Sequence, residues 1–350
     1  MSAQYEVLQV ESLTGYVVGS LPVTGISYSE TRNAAGACTV GIPLGAADPE
    51  TLVPGRSALV VTRDDEPVWG GLLWTASADL AGGTLSLNAS GWHSYYAGRV
   101  LHDGYTGSKD QASLLSDWYA ACNVDGGIST DTSQVRARGQ VRTRSWTKYE
   151  LKPVSDAISE LAEDEGGFSF RYETYWVDST HVGNRVLISD PGGNAMPYPL
   201  THTVNCNVTQ VAYDATAMAT RVYAVGADNG DGSKLVGIAD NATLTGVMPT
   251  KHAVQTFSDV KATQPLIDKA AAIALAGRAP IAIPTLTLYP GQYNPTAFHP
   301  GDSGPVQVDS GYVRVLDDFV ITERKTDVDT NGTEATSLSL ANKELFTSAD

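Results

Sequence analysis

The sequence predicts a mainly β protein with α+β insertions, built as two β-barrel domains separated and decorated by smaller α+β modules. Three observations predict it. Apolar and polar residues alternate between turn signals over about the first ninety positions. Segments in the middle switch to the three- and four-residue spacing of helices. The first and last β segments carry a weak internal repeat, a feature to be tested before any fold is assigned. Composition agrees, because 350 residues exceed what one core usually serves and imply two to four modules. With 34 glycines, 42% hydrophobic and only 18% charged residues, the chain reads as folded and rich in turns, not disordered.

In chain order, strands are expected at 16–21, 26–30, 38–42, 57–62, 68–77 and 84–90. The string RNAAGA at 32–37 and Ala81-Gly82-Gly83 supply hairpin turns, so neighbouring strands should pair antiparallel. From 111 to 122 the pattern changes: Ala112, Leu115, Trp118, Tyr119 and Cys122 form a helical stripe behind Lys109 and Asp110. A second helix is predicted over 153–165, where Val154, Ile158 and Leu161 share a face and Gly166-Gly167 ends it. A strand hairpin follows at 168–177 and 185–189. Strand character returns over 204–226, a turn-rich loop spans 228–233, a compact Ala-rich helix covers 264–279, and strands resume at Ile281. The division is a first barrel over 1–97, an α+β insertion over 98–197, and a second barrel over 198–350 with a module inserted at about 214–283.

The repeat ties the two ends together. Thr39-Val40-Gly41-Ile42 aligns with Thr285-Leu286-Thr287-Leu288, and Pro54-Gly55-Arg56-Ser57 lies at the same offset from Pro300-Gly301-Asp302-Ser303. After one slipped residue VWGGLLWT (68–75) matches VLDDFVIT (315–322), and Thr84-Leu85-Ser86-Leu87 matches Ser337-Leu338-Ser339-Leu340.

Several function classes lose support. A formal charge of −16 disfavours static phosphate binding, which needs clustered Lys and Arg. The apolar run of a membrane span and the pattern of a signal peptide are both missing, so a soluble protein made in a cytoplasm is expected. Cys38, Cys122 and Cys206 lie far apart and read as buried thiols. No cofactor is expected, and the chain reads as non-enzymatic.

Individual motifs lead to the same place. Gly301-Asp302-Ser303-Gly304-Pro305 is similar to the nucleophile segment of a chymotrypsin-type serine protease, yet Pro305 replaces its second Gly and has no N–H. None of His93, His102, His181, His202, His252 and His299 sits in the matching histidine context, so a Pro-Gly turn is expected instead. Asp327, Asp329 and Asn331 before Gly332 open like a calcium loop, but position twelve is Leu338, not Glu, and a hairpin tip is the plainer reading. Asp228-Asn229-Gly230-Asp231-Gly232 is weaker still. The carboxylates Asp156, Glu160, Glu163, Asp164 and Glu165 fit a solvated helix face better than a glycosidase pair. Trp69, Trp74, Trp92, Tyr95 and Tyr96 could form a carbohydrate platform, although Trp69 and Trp74 have opposite parity in one strand and at least one should serve the core. Arg136, Arg138, Arg142 and Arg144, with Trp146 and Lys148, form the one basic run. Their alternate spacing would set the four arginines on one strand face, as a contact for carboxylates of a neighbouring chain.

The run Arg63-Asp64-Asp65-Glu66-Pro67-Val68-Trp69-Gly70-Gly71-Leu72-Leu73, with a strand ending near Gly91-Trp92, resembles the opening domain of siphophage tail-tip baseplate hub proteins, also described as minor tail or tail-associated proteins. Thr220-Arg221-Val222-Tyr223 leading into Gly226 adds to it. The resemblance rests on architecture over nearly the whole length more than on identities. It implies tube-like barrels and a homotrimer whose two barrels per chain give a quasi-six-fold ring able to dock on a hexameric tail tube. It further implies distal tail or tail-tube ring, tape-measure and central-fibre proteins as partners, and passage of genomic DNA past an acidic wall without specific binding. Some relatives carry a C-terminal peptidoglycan hydrolase; this chain ends at Asp350 soon after its last strand, so cell-wall digestion is not expected. The competing expectations are a receptor-binding, carbohydrate-recognising tail protein, or a hub carrying a small hydrolase.

Overall fold

The computed structural model describes residues 3–343 except 125, 165, 229, 231–232, 259, 279–280 and 292–293. Glu165 and most of the Asp228–Gly232 motif therefore lie outside the described residues. The first segment holds β1 (Tyr5–Glu11), β2 (Val17–Leu21), β3 (Gly25–Thr31), β4 (Ala37–Pro43), β5 (Ser57–Arg63), β6 (Glu66–Asp79) and β7 (Thr84–Gly91). Alternation sets most of these strands: in β4 Cys38, Val40 and Ile42 are buried while Ala37 and Thr39 face outward. The β5–β6 hairpin closes on Asp64 and Asp65, both at positive φ (52° and 67°), the two-residue turn whose twist suits paired strands. Strand β1 was not among the expected strands, because its run Val7-Leu8-Gln9-Val10 is buried on both faces and shows no alternation.

The middle segment contains β8 (Tyr105–Asp110), α1 (Gln111–Val124), β9 (Val141–Trp146), α2 (Val154–Glu163), β10 (Ser169–Trp176) and β11 (Val182–Ser189). The last comprises β12 (Leu200–Thr201), β13 (Cys206–Asp214), β14 (Arg221–Asp228), β15 (Lys234–Asp240), β16 (His252–Thr256), α3 (Thr263–Ala276), β17 (Ile281–Leu288), β18 (Ser303–Ser310), β19 (Val313–Val328) and β20 (Glu334–Asn342).

Both β segments share one thirteen-stranded sheet, whose path runs β13-β17-β20-β19-β3-β4-β7-β6-β5-β1-β2, with β18 and β12 branching from β19. No closed ring of strands is traced among the described residues; the path is open at β13 and β2. The seam is β19. Its first half pairs with β18 from Val313 to Val320, and its second half pairs with β3 from Glu323 to Val328.

The repeat is visible in the ladders. Antiparallel order β4-β7-β6-β5 recurs as β17-β20-β19-β18, with β3 and β13 flanking in the same way. Gly55 N–H donates to Leu73 O at 2.7 Å, and Gly301 N–H donates to Ile321 O at 2.7 Å, both glycines at positive φ (82° and 99°). A bulge interrupts the ladder just after Leu73 and just after Ile321. Inward-facing residues therefore match one position away from the sequence alignment: Val61 answers to Val306, and Leu73 to Ile321. The copies also differ at one margin, since β1 pairs β5 antiparallel whereas β12 pairs β18 in parallel.

Four cores follow. One lies under the first ladder around Tyr28, Ile42, Leu59, Trp69, Leu73 and Leu87, and another under the second around Phe298, Phe319, Leu338 and Leu340. The opposite face of β1, β5 and β6 contributes Leu8, Val10, Ala58, Val60 and Leu72 to a third core, shared with α1, α2 and the β10–β11 hairpin. These strands are sandwiched, which explains the unbroken apolar run Ala58-Leu59-Val60-Val61. The fourth packs Leu266, Ala270 and Ala274 of α3 on Val222 and Ala224 of β14. The helix sits so close that a Cβ at Gly237 would fall 2.2 Å from the Leu266 carbonyl carbon. All three cysteines are buried and none forms a disulfide.

Candidate functional site

The basic run does not lie on one strand. Only Arg142 and Arg144 belong to β9, where their shared parity places both beside Asp164 at the end of α2, at 3.5 and 2.5 Å. Arg136 and Arg138 precede the strand in a loop held by Asp110, whose carboxylate accepts the N–H groups of Arg138 (3.1 Å) and Gly139 (2.7 Å). Arg138 reaches Asp190 at 2.7 Å and Gly167 O at 3.2 Å, and Arg136 donates to Ser133 O. Trp146 packs at 5.6 Å from Trp118, with the Lys152 ammonium 5.6 Å over its ring. The strand expectation fails because Asp110 competes for the loop backbone. Much of the donor capacity of these arginines is spent within the chain, which joins the module's helices to its hairpins.

The hairpin tip carrying the calcium-loop pattern is closed by its own side chain. Asp329 Oδ1 accepts the N–H groups of Asn331 (2.8 Å) and Thr333 (2.9 Å), which holds its carboxyl below the usual range. Asp327, on β19, faces Lys325 at 3.1 Å. Among the described residues no three His, Cys, Asp or Glu side chains gather as metal ligands.

At the protease-like string, Gly301 makes the turn, Ser303 opens β18, and the Asp302 carboxylate accepts backbone N–H groups of Asn194 and His299 at 3.3 Å each. Burial raises the Asp302 carboxyl and drives the His299 imidazole down to about 3, the latter aided by Arg171 and Arg324. A neutral imidazole beside two guanidiniums and a backbone-bound carboxylate is not arranged as a nucleophile, base and orienter. The aromatic residues disperse: Trp69 and Trp92 are each 4% exposed and donate to Ser29 O and Thr174 Oγ1, whereas Trp74 stands half exposed beside Ser94. Tyr96 is wholly buried, 2.5 Å from Thr130 Oγ1.

Sequence reasoning missed two contacts that join the β segments. Arg63 of β5 grips Glu334 of β20 with two hydrogen bonds, Nε to Oε2 at 3.0 Å and Nη2 to Oε1 at 2.9 Å, and the Tyr5 hydroxyl donates to the same carboxylate. Arg324 of β19, 2% exposed, meets Glu30 of β3 at 2.7 Å and donates to Pro295 O at 3.1 Å. A signal existed for Arg324, since it shares parity with the inward Thr326 and Val328; the bulge after Ile321 concealed it.

No protein-family model matches the sequence, and no curated protein matches it. Solved structures do. A tail protein from Neisseria meningitidis superposes with a TM-score of 0.62 at 14% identity, over 99% of this chain and 98% of that one. The 43 kDa tail protein of prophage MuSo2 from Shewanella oneidensis gives 0.63 at 11% identity, over 97% and 99%. A prophage tail protein from Listeria monocytogenes gives 0.56 at 12% identity, over 95% and 94%. From its first described strand to its last, the chain has the fold of phage tail proteins.

Proposed function

We propose that the chain is a non-enzymatic structural subunit of a phage tail tip, a homotrimeric baseplate hub that closes the distal end of the tail tube and forms part of the DNA-ejection channel. The observation that carries this reading is the duplicated four-strand ladder within a fold shared end to end with phage tail proteins. Two ladders per chain, taken three times, supply six similar units to meet a six-fold tube ring without six copies of the hub. On this reading each ladder curls into a barrel wall when neighbouring chains cover the free edges at β2 and β13. The net charge of −16 would keep the genome from adhering as it passes. Partners are the distal tail or tail-tube ring, the tape-measure protein and a central fibre, and the protein's place is the virion tail tip.

Multi-angle light scattering of the purified chain at several concentrations tests the trimer. A mass of three chains of 36.9 kDa supports it; a single-chain mass throughout, also in the presence of the tail-tube ring protein, overturns it. Deleting β17 to β20 should leave phage particles without completed tails, and normal tails from such a deletion would count against a hub.

A further inference from the structure

Inside the chain, the two ladders meet where β3 is paired on both edges: β4 of its own ladder holds one, and residues 323–328 of β19 hold the other. The repeat carries a second set of the same two edges. Strand β13 stands in the second copy where β3 stands in the first, because β17 pairs it as β4 pairs β3. Residues 75–79 of β6 stand where residues 323–327 of β19 stand, directly after the shared bulge, and pair with β7 as the latter pair with β20.

Both edges of the second set are open. Strand β5 reaches β6 no further than Leu72, opposite Ala58, so residues 75–79 have only β7 beside them among the described residues, and β13 ends the path of the sheet. Burial follows pairing. In the joined set Tyr28 is 1% exposed and Arg324 and Thr326 are each 2% exposed; their counterparts Val211, Ala76 and Ala78 are half-buried or exposed. Open edges are ordinarily protected by Lys, Pro or a covering loop. Neither Lys nor Pro occurs in Thr75-Ala76-Ser77-Ala78-Asp79 or in Gln210-Val211-Ala212-Tyr213-Asp214. Each run carries one charge, at its end. Antiparallel pairing in the register of the internal joint sets Asp214 opposite Thr75 and Asp79 opposite Gln210, so the two carboxylates never face each other.

We propose that residues 75–79 of one chain pair antiparallel with residues 210–214 of a second copy, Ser77 opposite Ala212, as residues 323–327 pair with 27–31 inside each chain. The contact joins two different edges and is therefore head-to-tail, so it propagates until the rotation between chains closes a ring. The assignment rests on the homotrimeric hub reading, in which three such joints alternate with three internal ones.

Disulfide trapping between two full-length single variants, Ser77→Cys and Ala212→Cys, tests the joint; both positions are exposed and the native cysteines are buried. Mild oxidation of the mixture should give covalent dimers on non-reducing gels at least tenfold above either variant alone. A mixture of Thr75→Cys with Gln210→Cys, four residues out of register, should give none. Without oxidation, Ala76→Arg should weaken association at least tenfold, and adding Tyr213→Glu, which copies the Arg324–Glu30 pair, should restore it. Light scattering on the same samples separates this joint from the hub reading. Trimers that do not cross-link at Ser77 and Ala212 overturn the joint and leave the hub standing; single chains without cross-links, also in the presence of the tail-tube ring protein, overturn both. Ser77→Cys cross-linking with itself as readily as with Ala212→Cys, or Ala76→Arg associating like the wild type, would also overturn the joint.

Discussion

Glu334 is the residue whose removal tests most directly how the two β segments are joined. Its carboxylate lies 17% exposed, receives two hydrogen bonds from Arg63 and one from Tyr5, and bridges strands 271 residues apart in sequence. Hydrogen bonds to charged groups contribute about 1.5–3 kcal/mol each, against about 0.5–1.5 for neutral ones. Glu334→Gln keeps the shape and removes the charge, so the two Arg63 bonds together should lose about 2–3 kcal/mol. Glu334→Leu leaves Arg63, 18% exposed, with only the exposed Asp64 for company, and should cost about 3–5 kcal/mol. A double-mutant cycle with Arg63→Met, read by urea unfolding, should return a coupling of about 1–3 kcal/mol. The sign of the pH dependence is fixed as well. Burial alone would raise the Glu334 carboxyl, but the bonds from Arg63 and Tyr5 outweigh it and hold the group below its ordinary 4.5. A depressed folded value means that this stability is complete above about pH 4.5 and is lost as pH falls through the folded value. A coupling below about 0.5 kcal/mol, or a wild type and Glu334→Gln that lose stability in parallel between pH 5 and 3, would refute this reasoning.

Other expectations concern packing and loops. A Cβ at Gly70 would fall 2.4 Å from Thr174 Oγ1 and 2.9 Å from Trp92 Nε1, so Gly70→Val should cost about 1–3 kcal/mol in urea unfolding, and an unchanged midpoint would show that the β6–β10 contact yields. Asp110 caps α1 by accepting the Ala112 N–H at 2.9 Å and also holds the loop before β9. Asp110→Ala should lose about 1 kcal/mol and speed amide exchange at Arg138 and Gly139; unaltered exchange there would remove the loop-pinning role. Calcium at millimolar concentration should leave the melting temperature unchanged, since Asp329 Oδ1 is already engaged by two backbone N–H groups. A rise abolished by Asp327→Asn would instead establish a cation site.

What was legible in the sequence is what local physics controls. The β5–β6 hairpin announces itself because Asp64-Asp65 sits between a continuous apolar run and Val68-Trp69, and α2 because Val154, Ile158 and Leu161 repeat at helical spacing before two glycines. Illegible were residues whose state is set by something distant. Strand β1 lacks alternation since a module more than ninety residues downstream covers its second face, placing Leu8 and Val10 in one core with Trp118 and Ile158. Arg136 and Arg138 fit a strand by spacing, yet the backbone at Arg138 and Gly139 answers to Asp110. The bulges after Leu73 and Ile321 shift parity by one residue, which no alternation pattern can report until the register is known.

The same bulges explain why the two ladders can be alike inside and unlike outside. Counted from them, Leu59 and Val61 of the first copy correspond to Gly304 and Val306 of the second, and all four are buried. The outward residues between them diverge: Val60 is covered by the middle module, whereas its counterpart Pro305 and the next outward residue, Gln307, are exposed, as are Leu316 at 76% and Tyr312 at 91%. The two ladders are thus alike in β order and on their core-facing side, and differ on their outward side. The outer face of β18 and β19 is thus open at Pro305, Gln307 and Leu316, where the first copy is covered by the middle module.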